Sequence, residues 1–316
     1  MFEVLIDQFW SLTIAGVALG FIYVLVSLGY TMVYGVLRMI NFANSEIFMW
    51  GTFGTIITSR DIFGYTQTSA PATGPKLALV LISQLLMSMA VAGLTAVFVE
   101  YVAYRRLRAK GTNRLATLIS AIGISIVLSE LMRLLTDSRP VGSPRVLEKI
   151  ILGEVWGANL RLDTIVTIFA AAFIYFLLER FVKLSRMGKA IRAVSMNEDA
   201  AKLMGINLNR VITTTFLVGG LATGAAGFFY VTVYEYTKFN IGFTMGLAAF
   251  TAAVLGGIGN IRGAFFGGVA LGLAEVYASA ILGTQWKSVT IFVVLVLVLL
   301  FKPSGLFGEA VTQSRA

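Results

Sequence analysis

Residues 197–207, Asn-Glu-Asp-Ala-Ala-Lys-Leu-Met-Gly-Ile-Asn, form a polar island in a chain made mostly of apolar runs. Glu198 and Asp199 suit the first turn of a short helix, where a carboxylate meets the positive end of the dipole, and Gly205 suits its end. A helix of this kind in a membrane protein serves contact with something soluble. The plain alternative is a solvated loop helix without a partner.

A second polar string, Arg38-Met-Ile-Asn-Phe-Ala-Asn-Ser-Glu46, interrupts apolar sequence where a membrane would lie. Asn41, Asn44 or Ser45 can cap a new helix there, and Glu46 then falls in its first turn. The spacing fits a broken helix whose free N–H groups meet a carboxylate-bearing solute, and it equally fits an ordinary link between two helices. A matching interruption, Tyr236-Thr-Lys-Phe-Asn240-Ile-Gly-Phe, precedes a short apolar segment, 244–258, that runs into Gly256, Gly257 and Gly259. Interrupted segments in both halves of a transporter point to its translocation site, although a glycine cluster also makes a tight helix–helix turn. The halves share only loose sequence similarity, so an inverted repeat is an expectation.

Isolated acids complete the set: Glu100, Glu130, Glu179, Glu235 and Glu275. The first, third and fourth fall near segment ends, where an interfacial position accounts for them. Glu130 has Arg133 three residues on, the spacing of a local pair. Glu275 has no other charge between Arg262 and Lys287 and is the strongest candidate among them for a place on a solute path.

These groups sit in an apolar framework. The chain has 316 residues, 57% hydrophobic and 13% charged. Windows 8–37, 77–99, 211–234 and 239–261 hold no charge, and a spanning helix needs about 20 apolar residues. The reading is an all-α polytopic membrane bundle of about eight or nine segments, one or two of them broken or short, forming a single membrane unit over 1–316. The segments lie near 10–34, 40–58, 77–103, 114–134, 162–182, 209–233, 244–258, 263–283 and 286–302, with 40–58 and 244–258 the weakest. Continuous rather than alternating apolar runs argue against a β-barrel. Glycine pairs four apart, Gly16/Gly20, Gly220/Gly224, Gly263/Gly267 and Gly268/Gly272, favour close helix packing.

Charge sets the expected orientation. Residues 104–114 carry five basic groups and no acid, and residues 180–210 carry seven against Glu198 and Asp199. Both loops read as cytoplasmic, the second including the polar stretch at about 185–208 that the resemblance below makes a coupling loop, while the turn-rich stretch 135–161 reads as the opposite face. Nine crossings then put the N-terminus outside and the C-terminus inside. Glu3 and Asp7, in place of a basic leader, predict that the first segment stays as a helix. The net charge of +9 is read as topology and contact with anionic membrane lipid, without nucleic acid. Neither His nor Cys occurs, which removes imidazole bases, thiol nucleophiles and their metal sites. No cofactor, no metal and no catalytic residue is expected, and no phosphate-binding Gly-x-x-x-x-Gly-Lys-Ser/Thr motif is present.

The spacing Asp199-Ala200-Ala201 followed by Gly205 resembles the EAA loop of ATP-binding-cassette importers, and the whole chain resembles the branched-chain amino acid permeases of the LivH type. That likeness is carried by Gly29-Tyr30-Thr-Met-Val-Tyr34-Gly35 running into Asn41-Phe42-Ala43, by Gly188 to Gly205, by Ala252-Ala-Val-Leu-Gly-Gly-Ile-Gly259 with Gly263, Gly267 and Gly268, and by Lys302-Pro-Ser-Gly-Leu-Phe-Gly308. The resemblance implies the membrane subunit of an ATP-driven importer of branched-chain or other hydrophobic and neutral amino acids in a bacterial inner membrane. It implies a second, similar permease subunit, two ATP-binding subunits and an extracytoplasmic substrate-binding protein as partners. Glu198, Asp199, Ala200, Ala201 and Gly205 would face the ATPase, which hydrolyses ATP in this chain's stead. Asn41, Asn44, Ser45, Glu46, Asn240, Gly256, Gly257, Gly259 and Glu275 would belong to the substrate pathway. The family commonly has Asn-Phe-Ala-His-Gly-Glu where this chain has Asn41-Phe-Ala-Asn44-Ser45-Glu46, a change that bears on which solute is taken. It also lacks the proline that the broader EAA pattern has downstream of the glycine, as is usual in this branch. Rival readings are a urea or short-amide permease of the same class and an ion-coupled carrier using Glu46 and Glu275.

Overall fold

The computed structural model describes residues 8–111, 114–155 and 157–308; Glu3 and Asp7, which bear on the first segment's fate, lie outside them. The helices among the described residues are α1 (Phe9–Leu37), α2 (Asn44–Ile57), α3 (Gly74–Val99), α4 (Arg114–Leu135), α5 (Leu162–Leu184), α6 (Arg186–Met196), α7 (Glu198–Leu203), α8 (Leu208–Tyr234), α9 (Ile241–Gly256), α10 (Ile261–Leu282) and α11 (Lys287–Phe301). Helix α3 continues through a π-helical stretch, Glu100–Arg105, to Ala109. Seven helices are long and apolar enough to cross a membrane, α11 counting with the 3-10 turn before it. Helices α2 and α9, at 14 and 16 residues, reach only about 21 and 24 Å, against a ~30 Å hydrocarbon core. They are the two weak segments of the sequence, and the chain is a polytopic helical bundle.

Short strands close one end. β2 (Ile151–Val155) and β3 (Ala158–Arg161) form an antiparallel hairpin, and β1 (Val141–Gly142) pairs antiparallel with β4 (Tyr236–Thr237). The opposite end carries α6 and α7. Arg38 at the end of α1 bonds to Ser195, Arg108 bonds to Asn209, and Arg262 bonds to Glu179, so those residues share the α7 face. Arg60 bonds to Gly142, and Arg145 and Lys149 pair with Glu235, so those share the hairpin face.

Two sets of four helices repeat with opposite direction. Helices α1–α4 correspond to α8–α11, each half-helix following a long helix after a six-residue link, 38–43 or 235–240. Both links open with a non-glycine residue in the left-handed region, Arg38 (φ 53°) and Glu235 (φ 61°). Each closes its helix with its N–H bonded four residues back, to Tyr34 or Val231. Packing follows the same rule: α1 lies against α10 as α8 lies against α3. Lipid supplies no hydrophobic force between helices, so close approach has to come from small residues. A Cβ on Gly20 would sit 2.8 Å from the Val269 Cα, and one on Gly224 would sit 2.5 Å from the Ser88 carbonyl. Gly16/Gly20, Gly220/Gly224 and Gly268/Gly272 thus mark these crossings, whereas Gly263 and Gly267 pack on α9. Helices α1 and α8 form the centre, 72% buried over their most apolar windows against 22% for α4 and 11% for the last span.

Candidate functional site

The first turns of α2 and α9 meet inside the bundle. A Cβ on Gly242 would lie 2.6 Å from the Ser45 carbonyl and 2.8 Å from Glu46 Oε2, and one on Gly246 would overlap the Ser45 side chain and sit 3.1 Å from the Tyr30 hydroxyl. Only glycine at both positions lets the two half-helices touch through their backbones. Helix N-termini carry a partial positive charge. Here two of them converge on one carboxylate, Glu46, which is 5% exposed and whose Oε2 has no hydrogen-bond partner among the described residues.

The polar residues around this contact have distinct surroundings. Helix α2 starts after Ala43 without a side-chain cap, so neither Asn44 nor Ser45 caps it; both sit in its first turn. Asn41 lies two residues before Ala43 and accepts that residue's N–H at 3.2 Å. Asn44 is wedged between α1 and α8, donating to the Val26 carbonyl at 3.2 Å and accepting from Thr223 at 3.4 Å. The Ser45 hydroxyl returns to the Phe42 carbonyl at 2.7 Å. Asn240 is the exposed residue before α9, next to the contact, with Phe243 also largely exposed.

The other pathway candidates lie elsewhere. Gly256, Gly257 and Gly259 form the turn between α9 and α10 on the α7 face. There Leu306 N–H bonds to the Leu255 carbonyl at 2.8 Å and Phe307 N–H to the Gly256 carbonyl at 3.0 Å. Gly257 (φ 104°) and Gly259 (φ 96°) adopt backbone angles that other residues rarely reach. Asn260 caps α10 through its side chain and donates to the Phe307 carbonyl at 2.9 Å. Glu275 accepts from the Tyr23 hydroxyl at 2.5 Å and lies 3.6 Å from Lys287, toward the hairpin face. The structure therefore brings Ser45 and Glu46 against the first turn of α9, which Asn240 precedes, while the glycine turn lies on the α7 face and Glu275 is held by Tyr23 and Lys287.

On the α7 face, α7 is capped by Asn197, whose Oδ1 accepts the Ala200 N–H at 3.0 Å, and ends before Gly205 (φ 80°). Lys202 pairs with Glu198 and Asp199, both at 3.2 Å, and hydrogen bonding to Glu198 first and Asp199 next pushes its ammonium pKa up. Ala201 is buried against the body, whereas Met196, Leu203 and Met204 are each more than four-fifths exposed. Three apolar side chains thus stand out from a segment that is otherwise charged and polar.

Several residues escape a reading of the sequence alone. Glu100 is fully buried, held by Arg105 at 2.9 Å, Arg108 at 3.3 Å and the Thr213 hydroxyl at 3.2 Å. The π-helical turn, with its i→i+5 period, brings Arg105 beneath it. Glu235, at the end of α8, is clamped: burial pushes its pKa up, and hydrogen bonds from Arg145 and Lys149 more than cancel that, leaving it below its ordinary value. Tyr30, Gly242 and Gly246 gave one signal, the four-residue glycine spacing on α9. Glu130 does pair with Arg133, at 2.6 Å.

A profile described as branched-chain amino acid transport system, permease component, matches residues 12–299. The high-affinity branched-chain amino acid permease LivH of Escherichia coli K12 is 40% identical over 300 residues, covering 93% of this chain and 94% of its own length. BraD, the corresponding permease of Pseudomonas aeruginosa, is 38% identical over 297 residues, 93% of this chain and 94% of its own. A probable LivH of Methanocaldococcus jannaschii is 24% identical over 300 residues, 90% of this chain and 88% of its own. On this match across nearly its whole length, the chain belongs to the family of branched-chain amino acid transport permeases.

Proposed function

We propose that this chain is the membrane subunit of an ATP-driven importer that carries branched-chain or other hydrophobic, neutral amino acids into the cytoplasm. The observation that carries the reading is the family match over residues 12–299, with relatives of about 40% identity named as high-affinity branched-chain amino acid permeases. The α7 face is cytoplasmic in this reading, supported by the basic residues of 104–114 and 180–210 gathered there. With nine traverses the N-terminus is then outside and the C-terminus inside.

Helix α7 is the handle for an ATP-binding subunit. Glu198, Asp199, Ala200, Ala201 and Gly205 shape it, and the exposed Met196, Leu203 and Met204 are the apolar knobs that a groove on the partner receives. A second permease subunit, a pair of ATP-binding subunits and an external binding protein complete the assembly, and no cofactor is held by this chain. A probable LivM permease of Methanocaldococcus jannaschii is 28% identical over 159 residues, 46% of this chain and of its own, which supports a similar second subunit.

The solute path runs beside the α2–α9 contact, with Ser45, Glu46 and Asn240 nearest to it, and opens when those two helix starts move apart. The carboxylate of Glu46 suits an amino acid's ammonium, while N–H groups of the two first turns suit its carboxylate. Asn41 and Asn44 support the path from behind. The glycine turn at 256–259 lies on the α7 face of this path, and Glu275, held by Tyr23 and Lys287, stays a candidate for its other part.

The test is uptake by vesicles holding the assembled complex, with leucine, small neutral amino acids, acidic amino acids and urea as competitors. Competition by leucine and valine, with ATP required, is the expected result; competition by urea alone transfers the chain to a urea or short-amide permease. ATP-independent uptake would favour an ion-coupled carrier. Ala201→Asp, which buries a charge under α7, should release the ATP-binding subunits during purification.

A further inference from the structure

We infer that residues 38–43 are the transmission element that carries movement of α6 and α7 to the α2–α9 contact, with Arg38 and Tyr104 as its positioning residues. The inference rests on the ATP-driven reading above and assigns the route by which the handle reaches the path.

The segment is gripped at both ends by the surroundings of the handle. At its start, the Arg38 guanidinium donates to the Ser195 carbonyl at 2.7 Å, and Ser195 lies two residues before Asn197, the cap of α7. At its end, Asn41 accepts a hydrogen bond from the Tyr104 hydroxyl at 3.0 Å while accepting the Ala43 N–H. Asn41 is buried, and its Nδ2 has no partner among the described residues, so this side chain is held through its oxygen.

Tyr104 belongs to the π-helical tail of α3, whose other members grip the chain just after the handle. Its ring lies 5.1 Å from that of Phe216 on α8. Arg105 donates to Thr213 at 2.6 Å, Arg108 donates to Asn209 at 2.7 Å, and Glu100 ties both arginines together. A push on α7 thus meets residues 38–43 by two routes, through Ser195 before the handle and through Asn209, Thr213 and Tyr104 after it. Ala43 is the last residue of the segment, and Asn44 and Ser45 follow it directly into the first turn of α2. A shift of the segment must move Ser45 and Glu46 against Gly242 and Gly246.

The link at 235–240 has no such contacts. Its Glu235 is held by Arg145 and Lys149, and Thr237 by β1 and by Thr52. The outer link is a fixed abutment and the inner one is the moving part. A π-helical stretch inside an otherwise regular helix is a recurrent mark of functional sites.

The experiment uses the full complex in proteoliposomes, with leucine uptake and ATP hydrolysis measured in the same vesicles. Tyr104→Phe removes one hydroxyl and keeps the ring against Phe216; Arg38→Gln removes the guanidinium. Both should keep the basal ATPase while uptake per ATP falls by about 2- to 30-fold, the range for residues along a coupling route. Stimulation of the ATPase by loaded binding protein should fall in parallel. Arg38→Lys, which still donates to a carbonyl, should recover at least half of the loss, and Glu235→Gln should leave uptake per ATP unchanged. Wild-type uptake per ATP in both Tyr104→Phe and Arg38→Gln overturns the transmission role and leaves the importer reading standing. Wild-type uptake that ignores ATP overturns the importer reading itself. Failure of a variant to assemble assigns its bond to folding and removes it from the route.

Discussion

The links before α2 and α9 are built to one plan and anchored in opposite ways. Each has six residues, begins with a left-handed non-glycine cap and delivers the start of a half-helix to the same meeting point. The first opens with a cation, Arg38, bonded to a backbone carbonyl beside the handle; the second opens with an anion, Glu235, bonded to two basic side chains of the 135–161 excursion. Behind the first lies the fully buried Glu100 with its two arginines, and behind the second lies a short strand pair and a threonine–threonine bond. The same backbone device is therefore tied to the segment before α7 on one face and to the 135–161 excursion on the other. Topology is shared by the halves, and the distinction between them resides in side chains.

The largest expected effect sharpens that contrast. Glu100→Ala leaves two arginines beside a desolvated gap and should cost about 3 kcal/mol, low in the range for a broken buried pair because both arginines keep some water. Thermal unfolding of the detergent-purified protein checks this, and Glu235→Ala should lower the midpoint much less. Equal losses would erase the proposed difference between buried inner and surface outer anchoring.

Next, Gly246→Ala drives a methyl into Ser45 at the point where the half-helices meet, at a cost of about 1–3 kcal/mol. Adding Ser45→Gly should restore both the melting midpoint and uptake, since it vacates the same space. No rescue would mean that the contact is not what limits position 246. Smaller again, Thr52→Val leaves Thr237 without its 2.7 Å hydroxyl partner and should cost about 1 kcal/mol by the same unfolding assay; uptake per ATP should stay at the wild-type level.

The smallest effect is one of pH. Glu235 has its pKa depressed in the folded protein, so its stabilisation is present above its ordinary value of 4.5 and disappears as pH falls through the lower folded value. The midpoint difference between wild type and Glu235→Gln should persist at neutral pH and vanish under acid. A difference that grew toward acid pH would contradict the clamp.

The apolar windows, the two weak segments, the opposite placement of 135–161 and the short helix at 198–203 were all legible from residue order. Hydropathy and charge act locally, and a membrane converts them into topology with little room for choice. The capping of α2 was not legible, because Ala43 can hold that position once Asn41 reaches past it to bond its N–H. Nor was the burial of Glu100. Basic residues five and eight positions on suggest no pair on an α-helix, and only the π-helical turn brings them underneath. Gly242 and Gly246 carried a readable spacing, but their reason is the Ser45 backbone two hundred residues away, which no local pattern reveals. The glycines at 256–259 show the converse: a conspicuous motif whose partner is the segment 305–308.

What lets the two half-helices close on each other is a pair of hydrogen atoms, those that Gly242 and Gly246 carry where other residues have a β-carbon. A plug made of bulky side chains must change rotamers to clear a channel, and each flip adds its own delay and its own chance of leakage. A plug made of main chain clears when two rigid rods slide apart by a few ångströms, and it shuts as soon as they return. On the solute path proposed above, such a contact would have little between ajar and closed, which is what a cell needs where a slow drip of its solutes would undo the work of filling it.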